Sequence, residues 1–292
     1  MASPSKRLAE NVEGDFYVDA SCIDCDACRQ IAPEVFRDHG EQSSVYRQPR
    51  TEGEVLGALK ALVACPTASI GTTRDYDARR GVEAFPELLD ENVYYCGFNA
   101  ESSFGAWSYL VVRPDSEGGN VLVDSPRFTR PLVRKIEDLG GVRTIFLTHR
   151  DDVADHERYA RHFDAARVMH AADNAARYGV EHVVEGAEAV RLDPGLLVIP
   201  TPGHTRGHAC LLYRDKYLFT GDHLAWSPAR KALTAFRTAC WYSWPEQTRS
   251  MRRLLDYNFE WVLPGHGRIH RAPADVMHKR LEDCVSWMES FR

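Results

Sequence analysis

Pro202-Gly203-His204-Thr205-Arg206-Gly207-His208 follows an apolar run at residues 196–200 and leads into another at 208–213. Two imidazoles therefore ride on a turn between two buried strands. Four more segments share that design. They are Asp124 after the run 120–123, Thr148-His149-Arg150-Asp151-Asp152-Val153-Ala154-Asp155-His156 after 144–148, Gly221-Asp222-His223 after 216–219, and Pro264-Gly265-His266-Gly267. Loops whose bases are fixed by a sheet hold side chains in set rotamers, as a metal site requires. Imidazole and carboxylate donors together suit zinc, iron or manganese. The remaining pattern predicts a strand at 108–112 and helices at 131–139, 155–163, 245–256 and 273–291. Strands with interspersed helices predict a sheet covered by helices.

The chain has 292 residues, 44% hydrophobic and 27% charged, which is enough for a packed core and long enough for two unequal domains. A net charge of -6 argues against nucleic acid as a partner, since that affinity rests on Lys and Arg neutralising phosphates. No apolar run approaches the roughly 20 residues needed to cross a bilayer, so no membrane partner is expected. The polar start lacks the apolar segment of a signal peptide, which predicts a cytoplasmic protein.

Much of the negative charge lies in the first 75 residues, where 12 acidic residues face 8 basic ones. The same stretch holds Cys22-Ile-Asp-Cys25-Asp-Ala-Cys28 on one tight loop, a helix predicted at 52–63, and Cys65-Pro66 beyond it. In a cytosolic protein such clustering reads as metal binding rather than disulfides. A zinc site usually pairs two C-x2-C hairpins, whereas the spacing here is three plus one. Four soft ligands in that arrangement match one [4Fe-4S] cluster. The pattern resembles single-cluster bacterial ferredoxins. Ala32 stands where two-cluster ferredoxins carry a further cysteine, and Cys25 favours four irons over three. Cys96, Cys210, Cys240 and Cys284 are read as small packing residues.

The five His and Asp motifs, in their order along the chain, resemble the metallo-β-lactamase superfamily. That resemblance implies an α/β fold, a four-layer αβ/βα sandwich, with a small α+β ferredoxin-like domain fused before it. The expected boundaries are 1–78 for the iron-sulfur domain, 79–91 for a linker and 92–292 for the metallo-β-lactamase-fold domain. The family motif H-x-H-x-D-H is altered here, because two extra residues separate His149 from Asp155-His156 and the second histidine is missing. Asp151 is the first substitute, with Asp152 as its competitor. Carried over by position, the resemblance implies one metal on His149, Asp151 and His204. It implies a second on Asp155, His156 and His266, with Asp222 bridging the two. His208, His223 and Asp124 are left outside the ligand set, and His39, His162, His170, His182 and His278 are read as ordinary surface or core residues.

One or two divalent ions, zinc or iron, would acidify a coordinated water, so hydrolysis is the expected reaction. In that reading Asp155 is the catalytic residue that orients the metal-bound hydroxide and takes its proton. The wording around His204 and His208 resembles the hydroxyacylglutathione hydrolase branch, which implies a small-molecule thioester or ester. An alternative gives the cluster a redox partner and has it pass electrons to a dinuclear iron site. A third makes it a sensing or regulatory module.

Overall fold

The structure is a computed structural model that describes residues 2–291. The chain folds as two compact units, one running to Leu110 and including Pro126–Gly141, the other made of Val111–Ser125 and everything from Val142 on.

In the first unit Phe16–Val18 pairs antiparallel with Ile70–Thr72, and Phe36–Asp38 with Ser43–Val45. The Asn11 amide joins these ladders, accepting from the Val18 and Val45 N–H groups at 3.0 Å each and donating to the Leu8 and Val18 carbonyls. The predicted helix is Glu52–Ala64. Its start is fixed by Thr51, which accepts from the Glu54 N–H while the Glu54 carboxylate accepts from the Thr51 N–H. Phe16, Val18, Val35, Phe36, Leu59 and Ile70 close the core beneath it.

Residues 79–91, expected as a linker, are folded. They form the helix Arg79–Glu83 and the strand Glu87–Asp90, which pairs with Val93–Tyr95. Gly81 marks a close crossing: a Cβ there would lie 2.5 Å from the Leu59 carbonyl oxygen. Lys60 meets Glu87 at 2.6 Å and Arg80 meets Glu52 at 2.9 Å, so the segment is tied to the long helix.

In the second unit Val121–Val123, Thr144–Phe146, Ala166–His170 and His182–Val184 lie side by side, all parallel. A six-stranded sheet runs in the order Val190–Asp193, Leu196–Pro200, Ala209–Tyr213, Tyr217–Gly221, Trp261–Pro264, His270–Arg271. Every residue of Ala209–Tyr213 and Tyr217–Gly221 is buried, which explains why these runs are apolar without alternation. Trp244–Arg253 and Ala274–Glu289 cover one face. Their Met251, Met277, Leu281, Val285 and Met288 pack against Leu212, Leu218 and Val262. Truncating Leu281 to Ala in such a core costs about 2–5 kcal/mol.

The strand directions place the site. Leu196–Pro200 and Tyr217–Gly221 are each antiparallel to Ala209–Tyr213, and Trp261–Pro264 is parallel to Tyr217–Gly221. All three therefore end on the same side, and the loops carrying His204, Asp222 and His266 gather there. Val121–Val123 and Thr144–Phe146 run parallel and deliver Asp124 and His149 in the same way.

Candidate metal centres

At the carboxyl ends of these strands two sets of donor atoms converge, His149 with His204 and Asp222, and Asp152 with Asp222 and His266. Asp222 belongs to both. Its Oδ2 lies 3.9 Å from His149 Nε2 and 3.6 Å from His204 Nε2. Bonds of about 2.0–2.1 Å to one cation put ligand atoms roughly 3.4 Å apart, so this set is already near ligand spacing. Asp151 Oδ2 reaches the same imidazoles, at 3.5 Å from His204 Nε2 and 3.9 Å from His149 Nε2.

Among the described residues, His149 Nε2, both ring nitrogens of His204 and Asp152 Oδ2 are buried with no hydrogen-bond partner. Buried polar atoms are costly to leave unpaired, and one such atom from each of His149, His204 and Asp152, converging on a shared carboxylate, fits a cation. The tautomer of His149 is set from behind. Thr148 gives its hydroxyl proton to Asp124 at 3.0 Å and accepts from His149 Nδ1–H at 3.0 Å, leaving the Nε2 lone pair for the metal. Burial pushes the His149 imidazole down to about 4, so it is neutral at pH 7. Burial alone would raise the Asp222 carboxyl, but His266, His149 and His204 hold it far below the usual carboxylate range. Burial, with Asp222 adding to it, pushes Asp152 well up.

Two glycines make room for this packing. A Cβ on Gly221 would lie 2.6 Å from Thr148 Oγ1 and 2.7 Å from His208 Nε2, and one on Gly265 would lie 2.5 Å from Asp152 Oδ2. His208 is fully buried. Its Nδ1 bonds Thr201 Oγ1 at 2.9 Å and its Nε2 accepts the Asp222 N–H at 3.3 Å, so it holds the backbone of the shared ligand. His223 is also buried and stacks on His208 at 5.5 Å.

Of the expected ligands, His149, Asp151, His204, Asp222 and His266 come together, while Asp155 and His156 do not. The helix begins at His156 with Asp155 as its N-cap, and the turn before it aims both side chains elsewhere. Asp155 lies 3.5 Å from Arg158, and His156 packs edge-on to Tyr178. Asp152 occupies the place expected of that pair. Sequence reasoning passed over Asp173, which is fully buried and bonded to the loops of both His149 and His204. Nothing in its sequence surroundings marks it.

In the first unit Cys22, Cys25, Cys28 and Cys65 line one pocket with Val18, Ile23, Ala27 and Ile70. Asp24 and Asp26 take left-handed backbone at φ 60° and 64°, and the buried Arg29 pairs with both at 2.8 and 2.5 Å, which shapes the loop. Cys22 Sγ accepts from the Ser43 N–H at 3.4 Å and Cys65 Sγ from the Ser69 N–H at 3.3 Å. Burial pushes the Cys25 thiol up to about 12, and Cys28 is raised as well. Thiols so buried ionise only against cations, and four of them around one pocket fit a cubane cluster.

Comparison with known proteins agrees with this geometry. Residues 18–72 match the 4Fe-4S single cluster domain of Ferredoxin I, and residues 103–266 match the metallo-beta-lactamase superfamily. Hydroxyacylglutathione hydrolase of Salmonella paratyphi A is 33% identical over 121 residues, covering 40% of this chain and 47% of that protein. The chain thus spans about half the length of the curated relatives it matches. Among solved structures, DIM-1 metallo-beta-lactamase aligns with a TM-score of 0.52 at 17% identity, over 70% of this chain and 97% of that one. VMB-1 aligns at 0.51 and 18%, over 70% and 95%. These likenesses bear out the expected α/β sandwich fold. The match over 103–266 includes every strand end that carries a metal-facing residue, and the chain belongs to the metallo-β-lactamase superfamily, with a 4Fe-4S single-cluster ferredoxin domain fused ahead of that part.

Proposed function

We propose that the protein is a metal-dependent hydrolase of a small thioester or ester. The observation that carries this reading is the Asp222 carboxylate shared by two convergent donor sets, in which His149 Nε2, the His204 ring nitrogens and Asp152 Oδ2 are buried without a hydrogen-bond partner among the described residues. His149, His204 and Asp151 would hold one divalent cation, Asp152 and His266 the other, with Asp222 between them. Cations so held supply Lewis acidity and lower the pKa of coordinated water toward neutrality.

The chain's own groups do the remaining work. Thr148 fixes the His149 tautomer, and His208 pins the Asp222 backbone. The role expected of Asp155 passes to Asp152, whose carboxylate faces the shared ligand. Asp151, with 43% of its side chain exposed, marks the open side from which a substrate enters. Trp241, 63% exposed, donates its backbone N–H to the His204 carbonyl and so stands beside that ligand. Similarity to hydroxyacylglutathione hydrolases supports a thioester as the substrate class.

A second reading rests on the donor set. Three carboxylates, Asp151, Asp152 and Asp222, stand against three imidazoles, and hard oxygen donors favour iron or manganese over zinc. An iron pair there would give the cluster a destination for electrons and the protein an external redox partner.

Metal quantitation and thioester assays on protein purified without oxygen decide between them. The hydrolase reading expects labile cations beyond the four cluster irons and turnover that is indifferent to cluster reduction. Dithionite-reduced protein that consumes oxygen or nitric oxide, with no thioester turnover, replaces it with the redox reading.

A further inference from the structure

Asp173 lies in a short helical turn after the strand Ala166–His170 and is fully buried. Its Oδ2 accepts from the Arg150 N–H at 3.0 Å and from Thr205 Oγ1 at 2.5 Å, and its Oδ1 accepts from the Gly207 N–H at 2.6 Å. Arg150 follows His149 and Thr205 follows His204, so each of these ligands sits one residue from a bond to the same carboxylate. The approach is close enough to require a glycine: a Cβ on Gly207 would lie 2.4 Å from the Asp173 nitrogen. The Asp152 and His266 side has other supports, namely the direct His266 bond to Asp222 at 2.8 Å and the contact of Gly265 with Asp152.

We infer that Asp173 is a positioning residue that sets the spacing of His149 and His204, and thereby tunes cation affinity at their site while leaving the Asp152–His266 site nearly unchanged. Charge-assisted hydrogen bonds to backbone N–H groups fix loop position more firmly than neutral ones. Partners one step removed from a metal commonly change its affinity by about 10–100-fold. The inference rests on the metal-centre reading above.

The test is stepwise zinc titration, against a chelating dye, of the full-length protein with its cluster intact. His149→Ala and His266→Ala serve as references that each cripple one site. Asp173→Asn keeps the side-chain shape but turns an amide N–H toward a donor. It is expected to weaken one of the two dissociation constants by about 10–100-fold and the other by less than about threefold, following the His149→Ala pattern. Thr205→Val, which removes a single bond, is expected to weaken the same site by a smaller factor, and it decides the matter if Asp173→Asn fails to fold. Equal weakening of both sites, no shift in either, or a pattern like that of His266→Ala overturns the inference. A wild-type chain that takes up no labile zinc overturns the metal-centre reading itself, whereas two wild-type sites left unmoved by Asp173→Asn overturn only the role given to Asp173.

Discussion

Asp222 Oδ1 accepts a hydrogen bond from His266 Nδ1 at 2.8 Å, while the other oxygen of the same carboxylate faces His149 and His204. One side chain thus completes both donor sets, and Asp151, which also reaches the His149–His204 set, does not serve the other. Asp222→Asn keeps the volume and loses the charge. It is expected to abolish tight binding at both sites together, with activity falling on the order of 10³-fold because the charge stabilisation of the reaction is lost. Metal content per chain, counted beyond the four cluster irons, checks this. Loss of one cation with full retention of the other contradicts a shared ligand.

Asp152 and Asp155 are separated by the same reasoning. Asp152 is buried against Gly265 and faces Asp222, whereas Asp155 stands at the N-cap position of a helix with its carboxylate 3.5 Å from Arg158. Asp152→Asn is expected to cost about 100-fold or more in activity, and Asp155→Asn less than about twofold. Steady-state kinetics of the two variants under matched metal loading reads the difference, and the reverse order restores the role first expected of Asp155.

The strand runs and four of the motif residues were legible because burial on both sheet faces leaves an unbroken apolar run, and a polar turn after such a run has few places to point. The placing of His149, His204, Asp222 and His266 on strand-end turns follows from that, while their selection as ligands over His208 and His223 rests on the family resemblance. The loop 150–155 was not legible, since the choice between Asp152 and Asp155 depends on backbone turns such as Ala154 at φ 33°, which spacing does not encode. Residues 79–91 were expected as a linker, whereas Gly81 within them serves a close packing contact with Leu59. Asp173 was invisible because its three bonds run to residues 23, 32 and 34 positions away.

Thr148 joins Asp124 to His149, and Val has its shape without its hydroxyl. Thr148→Val leaves Nδ1 of His149 without an acceptor and frees the ring to adopt the wrong tautomer. Affinity at the His149–His204 site is expected to fall by about 10–100-fold, with Thr148→Ser restoring most of it. Zinc titration of the two variants checks this, and equal behaviour of Val and Ser counts against the relay.

Gly105 has φ 82°, and a Cβ there would lie 2.7 Å from the Cβ of Cys25 and 3.0 Å from its Sγ. Gly105→Ala therefore adds both backbone strain and a clash at a cluster ligand, a cost of about 1–3 kcal/mol. The expected outcome is a cluster lost several-fold faster in air, followed by the decay of its visible absorbance. Cys210 and Cys284 are buried away from the cysteine pocket, and Cys284→Ala is expected to leave that decay unchanged.

Acid stability has a traceable contributor in Glu181. Its hydrogen bond and ion pair with Arg167, at 2.6 Å, hold the carboxyl down to about 2. A carboxyl lowered on folding stabilises the native state above its unfolded pKa, about 4.3, and that contribution drains away as pH falls toward the folded value. Glu181 is 46% exposed, so solvent screening limits the effect to about 1 kcal/mol or less at pH 7. The pair matters for the site because Arg167 also donates to the Tyr178 and Gly179 carbonyls, ordering the segment that follows Asp173. Glu181→Gln is expected to be less stable than wild type at pH 6–7 by up to about 1 kcal/mol in urea unfolding, with the gap narrowing steadily below about pH 5 as the wild-type carboxylate takes up its proton. A gap that stays constant from pH 7 to pH 3 assigns the loss to packing rather than to charge.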